Sequence, residues 1–273
     1  MISTNKNLIF TVTHGRTGTT FLTEVFKIFD DIRSLHEPEP NYANLFPTVK
    51  QTPEKAIAFL QSKIAIINEY PEKHYVETSN VFGKGFLIPL LRLGVMPGLL
   101  FLNRNFRKTA SSLYERGSTP MRTQMGRHYS ADPRFPGTLP IYEPENLTDY
   151  QLCYWGVLDA YARQIQAENI YKNENGKFYW VTTNDFHNFD KLMEIGDYFG
   201  LSLTDKKQAQ ERHKKIISLH HNPNKVKARS STSVAFLEEE ADVLNRVAFF
   251  DPLFTDKALS SPFIENEVKN RFY

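Results

Sequence analysis

The sequence predicts an α/β fold of three layers, a central parallel β-sheet flanked by helices. Two observations carry this. Short apolar runs of strand length, rich in Val, Ile, Leu, Phe and Tyr, alternate along the chain with longer helical patterns. The first of these runs, "LIFTV" at residues 8–12, leads through a polar glycine-bearing turn, "THGRTGTT" at residues 13–20, into a helical pattern.

Strands are expected over residues 8–13, 74–78, 98–103 and 178–182, with another short one ending near "LHEPEP", residues 35–40. Helices are expected over 18–29, 53–69, 107–115, 148–170, 188–199 and 232–249. For the second helix, Thr52 is placed to cap, Pro53 at the first helical position, and Glu54 favourably against the helix dipole. Lys55 stands where a capping box wants Glu or Gln. Within "FLIPLLRLGVMPGLLFL", Phe86 to Leu102, the residues Pro89, Arg92 and Pro97 divide helix, turn and buried strand. Tyr150, Tyr154, Trp155, Leu158 and Tyr161 form an aromatic stripe at helical spacing, the pattern of core packing. From Gly117 to Asn146 the chain has five prolines, three glycines and no sustained period, which predicts a long loop of functional or mobile character. The expectation is one domain over residues 1–273, with 117–147 as a substrate or lid loop.

With 33 basic and 31 acidic residues among 273, the formal charge is only +2, so nucleic acid and anionic membranes are not general partners and any anion must be bound locally. The single cysteine, Cys153, excludes an internal disulfide and a cysteine-based zinc cage; cytoplasm is the expected compartment. The first residues lack the pattern of a signal peptide, and no apolar stretch reaches the ~20 residues of a membrane span. His213, His220 and His221 share a helical face, read as solvated and not as a metal site; no metal ligands are assigned.

Strand, glycine turn and helix together direct backbone N–H groups and a helix N-terminus at an anion, which makes the opening P-loop-like. The turn is not a Walker loop: Gly15 and Gly18 are separated by two residues where that pattern has four, and Thr19-Thr20 replaces Lys-Ser/Thr. Arg16-Thr17-Gly18-Thr19-Thr20 instead resembles the 5′-phosphosulfate loop of sulfotransferases that use PAPS, 3′-phosphoadenosine 5′-phosphosulfate. "LLFLNRNFRKTASSLYERG", Leu99 to Gly117, resembles the same family's 3′-phosphate motif, with Arg104 at a strand end and Ser112 eight residues on. An arginine fork and a helical serine at such a junction suit one phosphate. "FYWVTTNDFHNFDKLMEIGDYFGL", Phe178 to Leu201, looks like the family's later strand, acidic turn and helix.

The resemblance implies a PAPS-dependent sulfotransferase of bacterial or carbohydrate type, moving a sulfuryl group to a hydroxyl of a small molecule, carbohydrate or lipid without a required metal. Gly15, Arg16, Thr17, Gly18, Thr19 and Thr20 would hold the 5′-phosphosulfate, and Arg104 and Ser112 the 3′-phosphate. Where family members place a closing basic loop, Lys225, Lys227 and Arg229 are candidates, although the Arg-Lys-Gly signature of the cytosolic branch is missing. Glu37 matches the family's glutamate base, with His36 as the alternative and Arg16 as the main cation at the transferred group. Glu77 and Asn80, in "YVETSNVF", are candidate acceptor contacts, and Thr78 stands where heparan-type members have lysine. Two other functions fit parts of the pattern: a small-molecule kinase with a degenerate phosphate loop, and a nucleotide-binding module without transfer chemistry.

Overall fold

The computed structural model describes residues 2–219 and 228–272. The apolar run becomes β1 (Asn7–Val12), and the turn after it opens α1 (Thr19–Phe26). A short β2 (Ile32–Leu35) precedes α2 (Tyr42–Val49) and α3 (Lys55–Glu69). Then come β3 (His74–Glu77), a 3-10 turn Phe82–Lys84, α4 (Leu87–Arg92), β4 (Gly98–Asn103) and α5 (Phe106–Glu115). A short α6 (Gln124–Tyr129) lies inside the proline-rich stretch, followed by the long α7 (Asp149–Asn173) and β5 (Phe178–Thr182). The chain closes with α8 (Phe189–Phe199), α9 (Lys206–Ser218), α10 (Phe236–Ala248), α11 (Pro252–Leu259) and α12 (Asn266–Lys269).

All strand pairs are parallel, in the order β2-β3-β1-β4-β5, with Leu8 opposite Tyr75, Phe10 opposite Leu99 and Phe101 opposite Trp180. Alternation along β1 sends Ile9 to a cluster with α1 and α8, and Leu8, Phe10 and Val12 to another with α2, α3 and α4. This gives the expected three layers. A third cluster joins α5, α7, α10 and α11, and holds the whole aromatic stripe: Tyr150, Tyr154, Trp155, Leu158 and Tyr161 are all buried. The sheet order reverses between β1 and β4, which places a crevice beyond the carboxyl ends of these strands.

Three local expectations differ from the structure. The helix expected from residue 53 begins at Lys55, and Thr52 makes no side-chain cap; the N–H groups of Lys55, Ala56 and Ile57 instead bond the carbonyls three residues back. The tight backbone turn satisfies the donors that a cap would have taken. The segment 117–146 carries α6, capped by Thr123, and is bonded to its surroundings at several points. Leu139 N–H donates to Asp159 at 2.9 Å, Trp155 Nε1 donates to the Leu139 carbonyl at 3.0 Å, and Arg122 pairs with Asp149 at 2.7 Å. His213 is on the core side of α9, where Nε2 meets the Phe186 carbonyl at 2.7 Å, and not on a solvated face. His220 and His221 lie outside the described residues. Among the described residues no helix is long and apolar enough to cross a membrane.

Candidate functional site

A cleft of about 1360 Å³ occupies the crevice predicted by the strand order. Its floor is the turn after β1. Thr13 donates its hydroxyl to the Leu102 carbonyl at 2.6 Å, tying this turn to the end of β4, and Thr17 donates to the His14 carbonyl at 2.8 Å. Thr183, after β5, donates to the Thr17 carbonyl at 2.6 Å. Arg16 and Gly18 both take left-handed backbone, with φ of 74° and 99°. At Gly18 a Cβ would come 3.0 Å from the Thr183 hydroxyl, so the turn needs glycine for space as well as for φ. Gly18 is also the N-cap of α1 and offers no side chain there, leaving the cap position to a ligand. Gly15, Arg16, Thr17, Gly18, Thr19 and Thr20 all line the cleft.

The second junction, from β4 to α5, meets the first at the side-chain level. Arg16 Nε donates to Ser112 Oγ at 3.0 Å, and Arg104 Nη1 lies 3.4 Å from the Arg16 carbonyl. Burial, then Arg116 and Arg104, push the Arg16 guanidinium below its ordinary pKa. Arg104, Lys108, Ser112 and Arg116 share the cleft wall with Arg16. Cations gathered this closely repel one another, and a bound anion relieves that repulsion.

Across the cleft, His36 and Glu37 follow β2. Glu37 has φ of 46°, accepts from Asn80 Nδ2 at 2.6 Å through Oε1, and accepts from Asn41 Nδ2 at 3.1 Å through its carbonyl. Its loop is held from beneath: Lys63 Nζ donates to the carbonyls of Pro40 at 2.9 Å and Pro38 at 3.3 Å. His36 Nδ1 sits 2.7 Å from the Thr78 carbonyl, a donor role that leaves Nε2 as the basic nitrogen of the neutral ring. Thus Arg16, the glycine turn, Arg104, Ser112, His36, Glu37 and Asn80 line one cleft.

No family profile matches the chain, and no curated protein matches it. Among solved structures it resembles mouse sulfotransferase SULT7A1 complexed with PAP, with a TM-score of 0.50 over 95% of this chain and 90% of that one, at 11% identity. The fold is that of a sulfotransferase. At this identity the likeness concerns the fold alone.

Within this sulfotransferase fold, two of the sequence-derived site residues are not brought to the cleft. Glu77 is fully buried, with Lys63 at 2.8 Å and the Tyr75 hydroxyl at 2.7 Å, so it is a structural carboxylate under α3 and not an acceptor contact. Burial raises its pKa while Lys63 opposes the rise. Arg229 pairs with Asp149, which also holds Arg122, and lies 5.4 Å over the Tyr114 ring; a half-buried carboxylate at the start of α7 keeps it off the cleft wall. Lys225 and Lys227 lie outside the described residues.

The structure adds groups that sequence reasoning passed over. Lys108 comes from the same helix as Ser112 and Arg116 caps that helix's end, and their four-residue spacing on either side of Ser112 was a usable signal. His14 is buried in the floor of the cleft, with Nδ1 3.3 Å from the Gly15 carbonyl and no partner for Nε2 among the described residues. Burial first, and then the charge of Lys84, hold its pKa well below the usual range, so the ring is neutral. Lys84 closes the 3-10 turn after β3 and is buried behind Asn80; nothing in "FGKG" announces it.

Proposed function

We propose that this protein is a PAPS-dependent sulfotransferase acting on a hydroxyl of a small molecule, carbohydrate or lipid. The carrying observation is the meeting of Arg16 with Ser112 and Arg104, which joins two anion-suited strand-to-helix junctions in one cleft. The donor fits this chemistry: an uncapped helix start for one anionic group, and a guanidinium cluster beside a hydroxyl for another. That the fold neighbour holds PAP is further support.

The turn from Gly15 to Thr20 and the start of α1 would hold the 5′-phosphosulfate, and Arg104 and Ser112, with Arg116 and Lys108, the 3′-phosphate. PAPS supplies an activated sulfuryl group and leaves as 3′,5′-adenosine bisphosphate. Glu37 takes the acceptor's hydroxyl proton as the oxygen attacks sulfur, and the Arg16 guanidinium supports the negative charge that gathers on the bridging oxygen as its bond to sulfur breaks. His36, with Nε2 free of the Thr78 contact, is the second candidate for the proton. We take His36, Asn80, Met125 and Tyr129, which line the cleft, as its acceptor side, and the presence of Met125 and Tyr129 there supports substrate contact for part of the 117–147 segment. No step requires a metal. We place the reaction in the cytoplasm, consistent with one cysteine whose buried thiol is pushed up to about 12.

The test is binding of 3′,5′-adenosine bisphosphate against 5′-AMP, ADP and Mg-ATP, in wild type and Arg104→Ala. Preference for the bisphosphate that collapses in the variant supports the reading. Preference for Mg-ATP returns the kinase, and bisphosphate binding with no transfer to any hydroxyl returns the binding module.

A further inference from the structure

We infer that Lys84 is a positioning residue for Glu37, acting through the Asn80 amide to fix the orientation of the carboxylate. This rests on the proposed role of Glu37 as base.

Lys84 Nζ is buried, donates to the Tyr129 carbonyl at 2.8 Å and lies 3.4 Å from Asn80 Oδ1. An ammonium has donors and no acceptor, so the only end of the Asn80 amide that can face it is the oxygen. The amide's NH₂ must then point the other way, where it meets Glu37 Oε1 at 2.6 Å. The chain Lys84 to Asn80 to Glu37 therefore has one direction. It engages Oε1 and leaves Oε2, which has no protein hydrogen bond among the described residues, to receive a proton.

A neutral amine would hold the Asn80 oxygen less firmly, because its remaining N–H groups donate without the assistance of a positive charge. The carboxylate only accepts, so Asn80 keeps its NH₂ towards Glu37 in either state, and what is lost is the firmness of the hold on the amide oxygen. The charge on Lys84 is thus the control point. Several groups face it: Asp159 and Glu37 favour the ammonium, Arg163 and Lys50 oppose it, and His14 and Tyr129 pack beside it. Burial outweighs them all and lowers the Lys84 pKa to about 7. Glu37 is therefore oriented most firmly below this value.

The experiment follows both ends of the chain by NMR in the full protein, using [13Cε]lysine and [13Cδ]glutamate, with assignments from Lys84→Met and Glu37→Gln. Lys84 is expected to titrate near neutrality and to move lower in Glu37→Gln, and the Glu37 carboxyl response is expected to change when Lys84 becomes Met. Turnover is read in parallel as release of 3′,5′-adenosine bisphosphate from PAPS with a phenol, an alkyl alcohol and a hexosamine. Lys84→Met should lower kcat by about 10- to 100-fold with little change in KM for PAPS. Lys84→Arg, which keeps the charge, should remove the alkaline fall in kcat above about pH 7. Should Lys84→Met fail to fold, Asn80→Ala replaces it, and the two end groups should then titrate independently. Unchanged Glu37 titration in Lys84→Met or Asn80→Ala overturns the inference. Coupled titrations without transfer to any acceptor uphold the positioning and count only against the proposed reaction.

Discussion

On the β1–β4 side of the cleft, Arg16, Arg104 and Arg116 stand together with part of each side chain in reach of solvent, whereas on the β2–β3 side Lys63 and Lys84 are sealed behind the wall. The two halves use different cations for different tasks. Guanidinium keeps its charge in a crowd of like charges and presents a planar fork to an oxyanion. The two buried ammonium groups are placed differently: Lys63 is held against a carboxylate, Glu77, at 2.8 Å, whereas burial lowers the Lys84 pKa to about 7. Permanent charge faces the proposed donor, and one tunable charge, that of Lys84, backs the proposed base.

If that division holds, Glu37→Gln should cut turnover by about 10²- to 10⁴-fold while leaving bisphosphate affinity intact, measured by steady-state kinetics and calorimetry. A parallel loss of affinity would mean that the two halves are not separable. Lys63→Met should destabilise the fold by about 3–5 kcal/mol in urea unfolding, because Glu77 then loses its only ion-pair partner among the described residues. Replacing Glu77 by Leu in the same chain should recover much of the loss.

Arg104→Ala should weaken bisphosphate binding by about 10- to 100-fold, the range of one charged hydrogen-bonding group, and leave 5′-AMP nearly unaffected. The two halves also differ in their response to pH. His14 is held neutral, so its contribution to stability is full above the unfolded value of about 6.5 and is lost as pH falls below it. Lys84 acts in another window: with its pKa lowered to about 7, the unfolded chain binds the extra proton above that value, and stability rises with pH from there towards 10.5. Denaturant midpoints across pH 5 to 10, in wild type, His14→Gln and Lys84→Met, separate the two slopes. The smallest effect expected is that of Ser112→Ala, about 1 kcal/mol in bisphosphate binding, since Arg16 loses one neutral partner.

The same division governs what could be read in advance. The donor side is written in local motifs: a strand, a turn whose φ values demand Gly18, and a serine two turns into a helix are neighbours in sequence before they are neighbours in space. The strand periods and the long helices were legible for that reason. Helices α2 and α6, of eight and six residues, are too short to show a period and depend on caps at Asn41 and Thr123. The base's surroundings are tertiary: Lys63 reaches back from α3, Lys84 forward from beyond β3, and neither lysine differs in sequence from a solvated one. Glu77 was misplaced by the same blindness, because its buried partner lies fourteen residues upstream on another element.

One buried amide fixes more than its own strand ends. Gln164, on α7, donates to the Val12 carbonyl at 2.7 Å and accepts from Asn103 Nδ2 at 2.9 Å, so one side chain grips the last residues of β1 and β4. The Thr13 bond to Leu102 closes the same joint. Arg104 follows the end of β4 directly and Arg16 sits in the short turn after β1, and the spacing between their junctions is thereby set by the scaffold and not by whatever enters. On the proposed reading the joint is a ruler: a ligand with two anionic groups at the right separation finds both seats ready, and a shorter or singly charged one can occupy only half of them.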